Sequence, residues 1–292
     1  MQRVFTQTEL PLNEDGSVFH LCLHPGELAK KIILVGDPDR SSMVVRHFDS
    51  IELKRQKREF VTYTGYYAGE RVSVISTGIG TGNIDIVLNE VDALHNIDLK
   101  SRTIKTQLTS LVIIRVGTCG GLDDSMPPGS HIVSNFAVGF DGLLNHYRVT
   151  VPEEKSDFFS VINSAFKDYP LRSSIYTAAA DPGLCRLLSP LGVVGITLTC
   201  PGFYGPQHRA LRVPIVEKNI FNLAKDIKYN GWTVANFEME TAAILGLGKL
   251  LGHYCASLSL VMFNRITEES IKKPQEKMNQ LISRALQLII EK

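Results

Sequence analysis

Lys31-Ile32-Ile33-Leu34-Val35-Gly36-Asp37-Pro38-Asp39-Arg40 carries the architecture in ten residues. Four apolar residues in a row, most of them β-branched, have the length and composition of a buried strand. Gly36 then admits a close turn, Asp37 offers a cap and Pro38 a first helical position, so a helix is expected to run to about His47. The same order returns at Val72–Thr77, where Gly78-Ile79-Gly80-Thr81-Gly82-Asn83 leads into a helix striped by Ile84, Val87, Leu88, Val91 and Leu94. Leu111–Val116, Gly129–Val138, Val193–Thr199, Val234–Phe237 and Tyr254–Phe263 read as further strands, and Arg58–Thr64 pairs with Arg71–Ser76 across Ala68-Gly69-Glu70. Helices are expected over Glu153–Tyr169, from Asp181-Pro182 to Leu188, over Thr241–Leu251 and from about Thr267 to the end. Asn96–Ser110 reads as a surface loop and residues 1–30 as an irregular N-terminal segment. Strands alternating with helices, with no repeat and no linker, indicate one α/β domain over 1–292 with a mixed sheet.

At 44% hydrophobic over 292 residues the chain can bury a large core, and a net charge of +1 argues against nucleic acid or an acidic membrane as partner. Five cysteines, odd in number and without Cys-x-x-Cys spacing, fit thiols in a reducing compartment and neither a disulfide frame nor a zinc site. No apolar run is long enough to span a bilayer, and Met1–Thr6 does not read as a secretory signal, so a cytoplasmic protein is expected.

Three stretches carry chemistry. Asn236-Phe237-Glu238-Met239-Glu240 places two carboxylates in apolar company, which is costly unless a sugar diol, a metal or a basic partner answers them. No histidine or third acid completes a metal shell nearby. Arg115 stands inside a strand of Leu, Val and Ile and needs an anion, either a ligand or a structural carboxylate. Gly117-Thr118-Cys119-Gly120-Gly121 follows it as a flexible turn with a hydroxyl and backbone donors. Gly36 and Arg40 flank another strand end, where α/β sheets bind ligands, although a surface arginine after an ordinary turn is an equal reading. The loop Cys200–Arg209 holds Phe203, Gln207 and Arg209, suited to the face and polar edge of a planar heterocycle, or to no ligand at all. Gly78-Ile79-Gly80-Thr81-Gly82 is one residue short of the dinucleotide fingerprint and fits a small anion at a helix start better than NAD.

Phosphate, heterocycle and sugar diol form a consistent set. The chain resembles the nucleoside phosphorylase family related to bacterial uridine phosphorylase, through Gly36–Arg40, Arg58-Glu59-Phe60, Ser76–Gly80, Ile114–Thr118, Gln207-His208-Arg209 and Phe237–Glu240, in the family's order from about His20 to Arg265. The resemblance implies a single-domain, three-layer α/β/α phosphorylase-type fold with a mixed central sheet. It implies phosphate held by Gly36, Arg40, Arg115 and Thr118, with Arg58 reaching the phosphate of a neighbouring subunit. Ribose would fall to Met239 and Glu240 with Glu238 beside them, and to His20 across the same interface. Phe203, Gln207, Arg209 and Arg265 would meet the base, and Arg115, Glu240 and Arg209 would carry the catalysis. Nucleoside and phosphate are then the small-molecule partners, no cofactor is needed, and the active unit is at least a dimer.

Purine-specific relatives place an aspartate where Asn264-Arg265 stands here, so the resemblance favours uridine. A purine phosphorylase, a nucleosidase and a non-catalytic nucleoside-binding protein on the same fold are the alternatives. Asn83 stands where the uridine enzymes commonly have a serine that helps bind a monovalent cation between subunits, near Glu59 and Ile79. Asn96–Ser110, longer and more basic than in compact relatives, argues against carrying over their higher oligomer.

Overall fold

The computed structural model describes residues 3–148, 157–216 and 219–291. In chain order its strands are β1 (Lys31–Val35), β2 (Ser50–Lys57), β3 (Phe60–Tyr67), β4 (Glu70–Ser76), β5 (Ile97–Asp98), β6 (Thr103–Ile104), β7 (Val112–Gly121), β8 (His131–Gly139), β9 (Tyr176–Ala179), β10 (Val193–Thr199), β11 (Lys228–Tyr229), β12 (Trp232–Glu238) and β13 (Tyr254–Asn264). The helices are α1 (Pro38–Val45), α2 (Thr81–Asn96), α3 (Asp157–Ala165), α4 (Pro182–Leu188), α5 (Ile220–Ala224), α6 (Thr241–Leu250) and α7 (Pro274–Ile289).

The expected β1 is the apolar run, and parallel β4 and β7 flank it. The sheet order is β11-β12-β10-β8-β13-β7-β1-β4-β3-β2, with β9 added on β8. Its centre is parallel, β2–β3–β4 is an antiparallel meander, and β8 runs antiparallel to β13, so the sheet is mixed. Near its end β7 leaves β1 and pairs antiparallel with β12, Gly120 opposite Phe237 and Gly121 opposite Asn236. That pairing joins β7, β13, β8, β10 and β12 into a ring.

Helices cover both faces. Along β13, Ser257 meets Thr241 of α6 (hydroxyl to hydroxyl, 2.8 Å), while alternate Leu260 lines a small cavity with Met278 of α7. The apolar stripes of α2 and α7, Ile84, Val87, Leu88, Val91 and Leu94, then Met278, Leu281, Ile282, Ala285 and Ile289, are all buried. Two caps form as the turn residues suggested. The Asp37 side chain accepts from Asp39 N ahead of α1, and that of Asp181 accepts from Leu184 N in α4.

Several expectations are corrected. Gly117–Gly121 is not a flexible turn but the outer half of β7. Glycine is needed there because a Cβ on Gly117 would collide with the Arg115 guanidinium, and one on Gly120 with the rings of Phe237 and Phe263. Asn96–Ser110 contains the β5–β6 hairpin, which the N-terminal segment pins down: Phe5 N donates to Arg102 O at 2.8 Å and Arg102 Nε to Phe5 O at 2.9 Å. The last helix starts at Pro274 rather than Thr267. Residues 54–57 of the basic run Lys54–Arg58 form the second half of the edge strand β2, as a solvated edge should. Of the helix expected over Glu153–Tyr169, residues 153–156 lie outside the described residues and α3 begins at Asp157. No helix among the described residues is long and apolar enough to cross a membrane.

Candidate active site

The C-terminal ends of β1, β4, β7 and β12 open onto one cavity of about 630 Å³. It brings together Gly36, Arg40, Arg115, Thr118, Phe203, Gln207, Glu238, Met239 and Glu240, nine of the residues singled out from the sequence. Parallel β1, β4 and β7 deliver their C-terminal ends to the same edge, and β12 reaches it through its antiparallel join to the end of β7.

At its floor Arg115 is 5% exposed. Its Nη2 donates to Glu240 Oε2 at 2.6 Å and lies 3.1 Å from Glu238 Oε2, while Nη1 donates to Ser259 Oγ at 3.0 Å. Burial alone would lower the guanidinium, yet Glu238 and Glu240 hold it above its ordinary value, so it is a fixed cation. Burial pushes the Glu240 carboxyl above the usual carboxylate range, against Arg115 and with the help of Glu238.

The two glutamates have different surroundings. Glu238 accepts from Thr199 Oγ1 at 2.6 Å and from the backbone N–H groups of Glu240 and Thr241, both at 2.9 Å, at the start of α6. Those donors and Arg115 occupy its oxygens and fix it within the protein. Glu240 accepts Gly80 N at 2.7 Å through Oε1, and it lines the cavity beside Met239.

Arg40, in the first turn of α1, comes up beside Thr118. Its guanidinium donates from Nη1 to Val116 O at 3.5 Å. Burial, and then the neighbouring Arg115 charge, lower its pKa, partly offset by Asp37 and Glu240. Two guanidiniums that line one cavity with Thr118 and Gly36 make a corner that an anion would relieve.

Opposite lies an aromatic slot. Phe203 and Phe263 stand edge to face at 6.5 Å, and Phe237 and Phe263 are tilted at 6.1 Å. The Arg209 guanidinium is 4.1 Å from the Phe203 ring centre and 5.0 Å from that of Phe263. Its Nη1 donates to Phe203 O at 2.6 Å and also to Gln207 Oε1, which fixes a Gln207 only 2% exposed. Arg209 itself stands behind the ring wall rather than on the cavity surface. Burial, and then Arg265, lower its pKa.

Arg265 also lies off the cavity, donating to His208 O at 3.3 Å with its guanidinium 5.4 Å from the Phe221 ring. Asn264 is 1% exposed and its amide is committed to backbone: Nδ2 donates to Asp123 O at 2.7 Å and Met126 O at 2.9 Å, and Oδ1 accepts from Ile266 N. Arg58 is exposed in the β2–β3 turn at φ 53°, and His20 sits with Nδ1 2.6 Å from Glu90 Oε1. Neither lines this chain's cavity. Sequence reading passed over Phe237, Met262 and Phe263 as walls; their signal was faint, apolar residues at strand ends with ordinary core spacing. Cys119 also lines the cavity, but burial pushes its thiol up to about 12, so it is inert at neutral pH.

A family model described as the phosphorylase superfamily matches residues 30–291. The chain belongs to the phosphorylase superfamily. This phosphorylase is 28% identical to uridine phosphorylase of Thermococcus kodakarensis over 100% of its own length and 93% of the relative's. It is 26% identical to the DeoD-type purine nucleoside phosphorylase of Listeria welshimeri over 93% and 99% of the two chains. A crystal structure of a Trypanosoma brucei nucleoside phosphorylase, described as showing uridine phosphorylase activity, superposes with a TM-score of 0.83. The two are 30% identical, with 97% of this chain and 98% of that one covered. The protein is thus an enzyme of the nucleoside phosphorylase kind, with the mixed α/β phosphorylase fold.

Proposed function

We propose that the protein is a pyrimidine nucleoside phosphorylase that reversibly converts uridine and phosphate to uracil and ribose 1-phosphate. The observation that carries the base class is the fate of Asn264. An asparagine rather than an acid holds that strand end, and its amide is spent on backbone, so it has no proton to give a purine leaving group. Gln207, which lines the aromatic slot and is held from behind by Arg209, suits a carbonyl of a uracil that departs as an anion.

Phosphate would sit between Arg40, Arg115, Thr118 and Gly36 and attack the anomeric carbon as positive charge builds on the ribose ring. Orientation supplies much of the rate. Glu240, with Met239 beside it, accepts from the ribose hydroxyls, and Glu238 acts through Arg115 and the start of α6 rather than on the sugar. The positions of Arg58 and His20 outside the cavity support a homodimer or larger assembly in which a second copy supplies both to this site. The same reading makes 1–292 one working domain of a cytoplasmic enzyme of pyrimidine salvage.

Phosphate-dependent release of free base from uridine, deoxyuridine, thymidine, inosine and adenosine tests the proposal. Uridine should be cleaved fastest. Similarity to DeoD-type enzymes favours the purine reading instead, and faster cleavage of inosine would establish it. Release of uracil in phosphate-free buffer would make the protein a nucleosidase, and no release from any substrate a binding protein.

A further inference from the structure

The resemblance places a monovalent cation between subunits, near Glu59, Ile79 and residue 83. In this chain those groups already satisfy one another. Asn83 Nδ2, on the first turn of α2, donates to Glu59 Oε1 at 3.2 Å and to Ile79 O at 3.4 Å. Gly78 is wedged beside them: its φ of +73° suits glycine, and a Cβ there would collide with the Asn83 amide and Glu59 Cγ. Glu59 is held from its other end too, because Ser76 Oγ donates to Glu59 O at 2.5 Å and accepts from Val61 N at 2.7 Å.

A Na⁺ or K⁺ ion needs several oxygens aimed at one point. Here a carboxylate and a carbonyl are aimed at an N–H₂ donor. As placed, Nδ2 brings a proton to both acceptors; the reversed amide would set three oxygens together, an arrangement only a cation could hold. The donor set does not fit the cation.

We propose that the Asn83 amide stands in place of an interface cation. It ties the β2–β3 turn, which carries Arg58 and Glu59, to the glycine turn 78–80, whose Gly80 N–H holds Glu240. The glycine turn is therefore ordered without Na⁺ or K⁺, and the enzyme has no monovalent-cation requirement. Asn83→Ser or Asn83→Asp would replace the donor by oxygen and create the requirement.

The activity arm of the test rests on the phosphorolysis reading, and the melting arm does not. Initial rates with uridine and melting temperatures are measured in choline, sodium and potassium chloride at equal ionic strength, for wild type and both variants. Wild type is expected to give the same rate and the same Tm in all three salts. The variants should be less active and melt lower in choline, and recover both as K⁺ or Na⁺ is raised to saturation, as mass action requires of a ligand bound only by the folded state. A saturable rise in wild-type Tm or rate with either cation overturns the inference. So do variants that fold yet ignore the cations as the parent does. If uridine is not a substrate, the Tm series alone still separates a cation-independent wild type from a cation-binding one.

Discussion

Replacing Arg115 by methionine keeps an unbranched apolar stem and removes the guanidinium with its charge. Three buried contacts vanish, to Glu240 at 2.6 Å, Glu238 at 3.1 Å and Ser259 at 3.0 Å, and two carboxylates are left facing each other without a cation. Breaking one side of a buried ion pair costs about 3–5 kcal/mol, which corresponds to a fall in Tm on the order of 10 °C for a chain of this size. The deficit should depend on pH. Burial already raises Glu240 in the folded state while Arg115 opposes the rise, so without Arg115 its folded pKa climbs further. In that window the folded variant binds more protons than the unfolded chain, and stability falls as pH increases. The variant should therefore lie closest to wild type near the ordinary carboxylate pKa of about 4.3 and lose ground as pH rises through the raised Glu240 value. Differential scanning fluorimetry of both proteins from acid to mildly alkaline buffer reads this directly. On the proposed function, in which Arg115 holds phosphate, its loss should also lower kcat/KM for phosphorolysis by about 10²–10³-fold. A Tm gap that does not change with pH, or turnover close to normal, would refute the assignment of Arg115 to both carboxylate and anion.

Other expectations are simpler. Thr199→Val removes the hydroxyl that donates to Glu238 Oε1 at 2.6 Å and accepts from Ala242 N at 2.9 Å; it should cost about 1–3 kcal/mol, and Thr199→Ser should restore the Tm. Gly120→Ala drives a methyl into the Phe237 and Phe263 rings, so a loss of about 1–3 kcal/mol from overpacking is expected in thermal melts, together with a damaged aromatic slot. Iodoacetamide at neutral pH should label half-buried Cys22 before Cys119, whose thiol is pushed up to about 12; peptide mass mapping that finds Cys119 modified first would contradict its burial.

Much of this was legible in the chain because strand burial writes itself as composition. Ile32–Val35, Val72, Val74, Ile75 and Ile113–Ile114 are apolar since both faces of the central sheet are covered. Gly117–Gly121 misled for a physical reason: glycine usually marks freedom, whereas here it makes room for Arg115 and two phenylalanine rings, and the sequence does not state which groups crowd a backbone. The four residues of β9 have too little pattern to read alone and become a strand because β8 offers them an edge. The carboxylate pair was visible as a site, but the division of partners, Thr199 and the start of α6 for Glu238 and Gly80 for Glu240, depends on where those groups come to rest. No local signal encodes that.

The antiparallel join between the end of β7 and β12 has a consequence for synthesis. Gly120 and Phe237 are partners, so the anion corner, complete in sequence by Thr118, has no clamp until the chain has grown beyond Glu240 and β12 has threaded in. At ~5–20 residues per second on the ribosome, that interval is on the order of ten seconds. For that time the nascent chain carries Arg40 and Arg115 without the carboxylates that answer Arg115, and the ring of strands stays open. A long-range closure of this kind makes folding slow. It also means that competence for the reaction certifies a nearly finished chain: fragments that stop short of β12 can be helical and sheeted, yet they have no active site to lend.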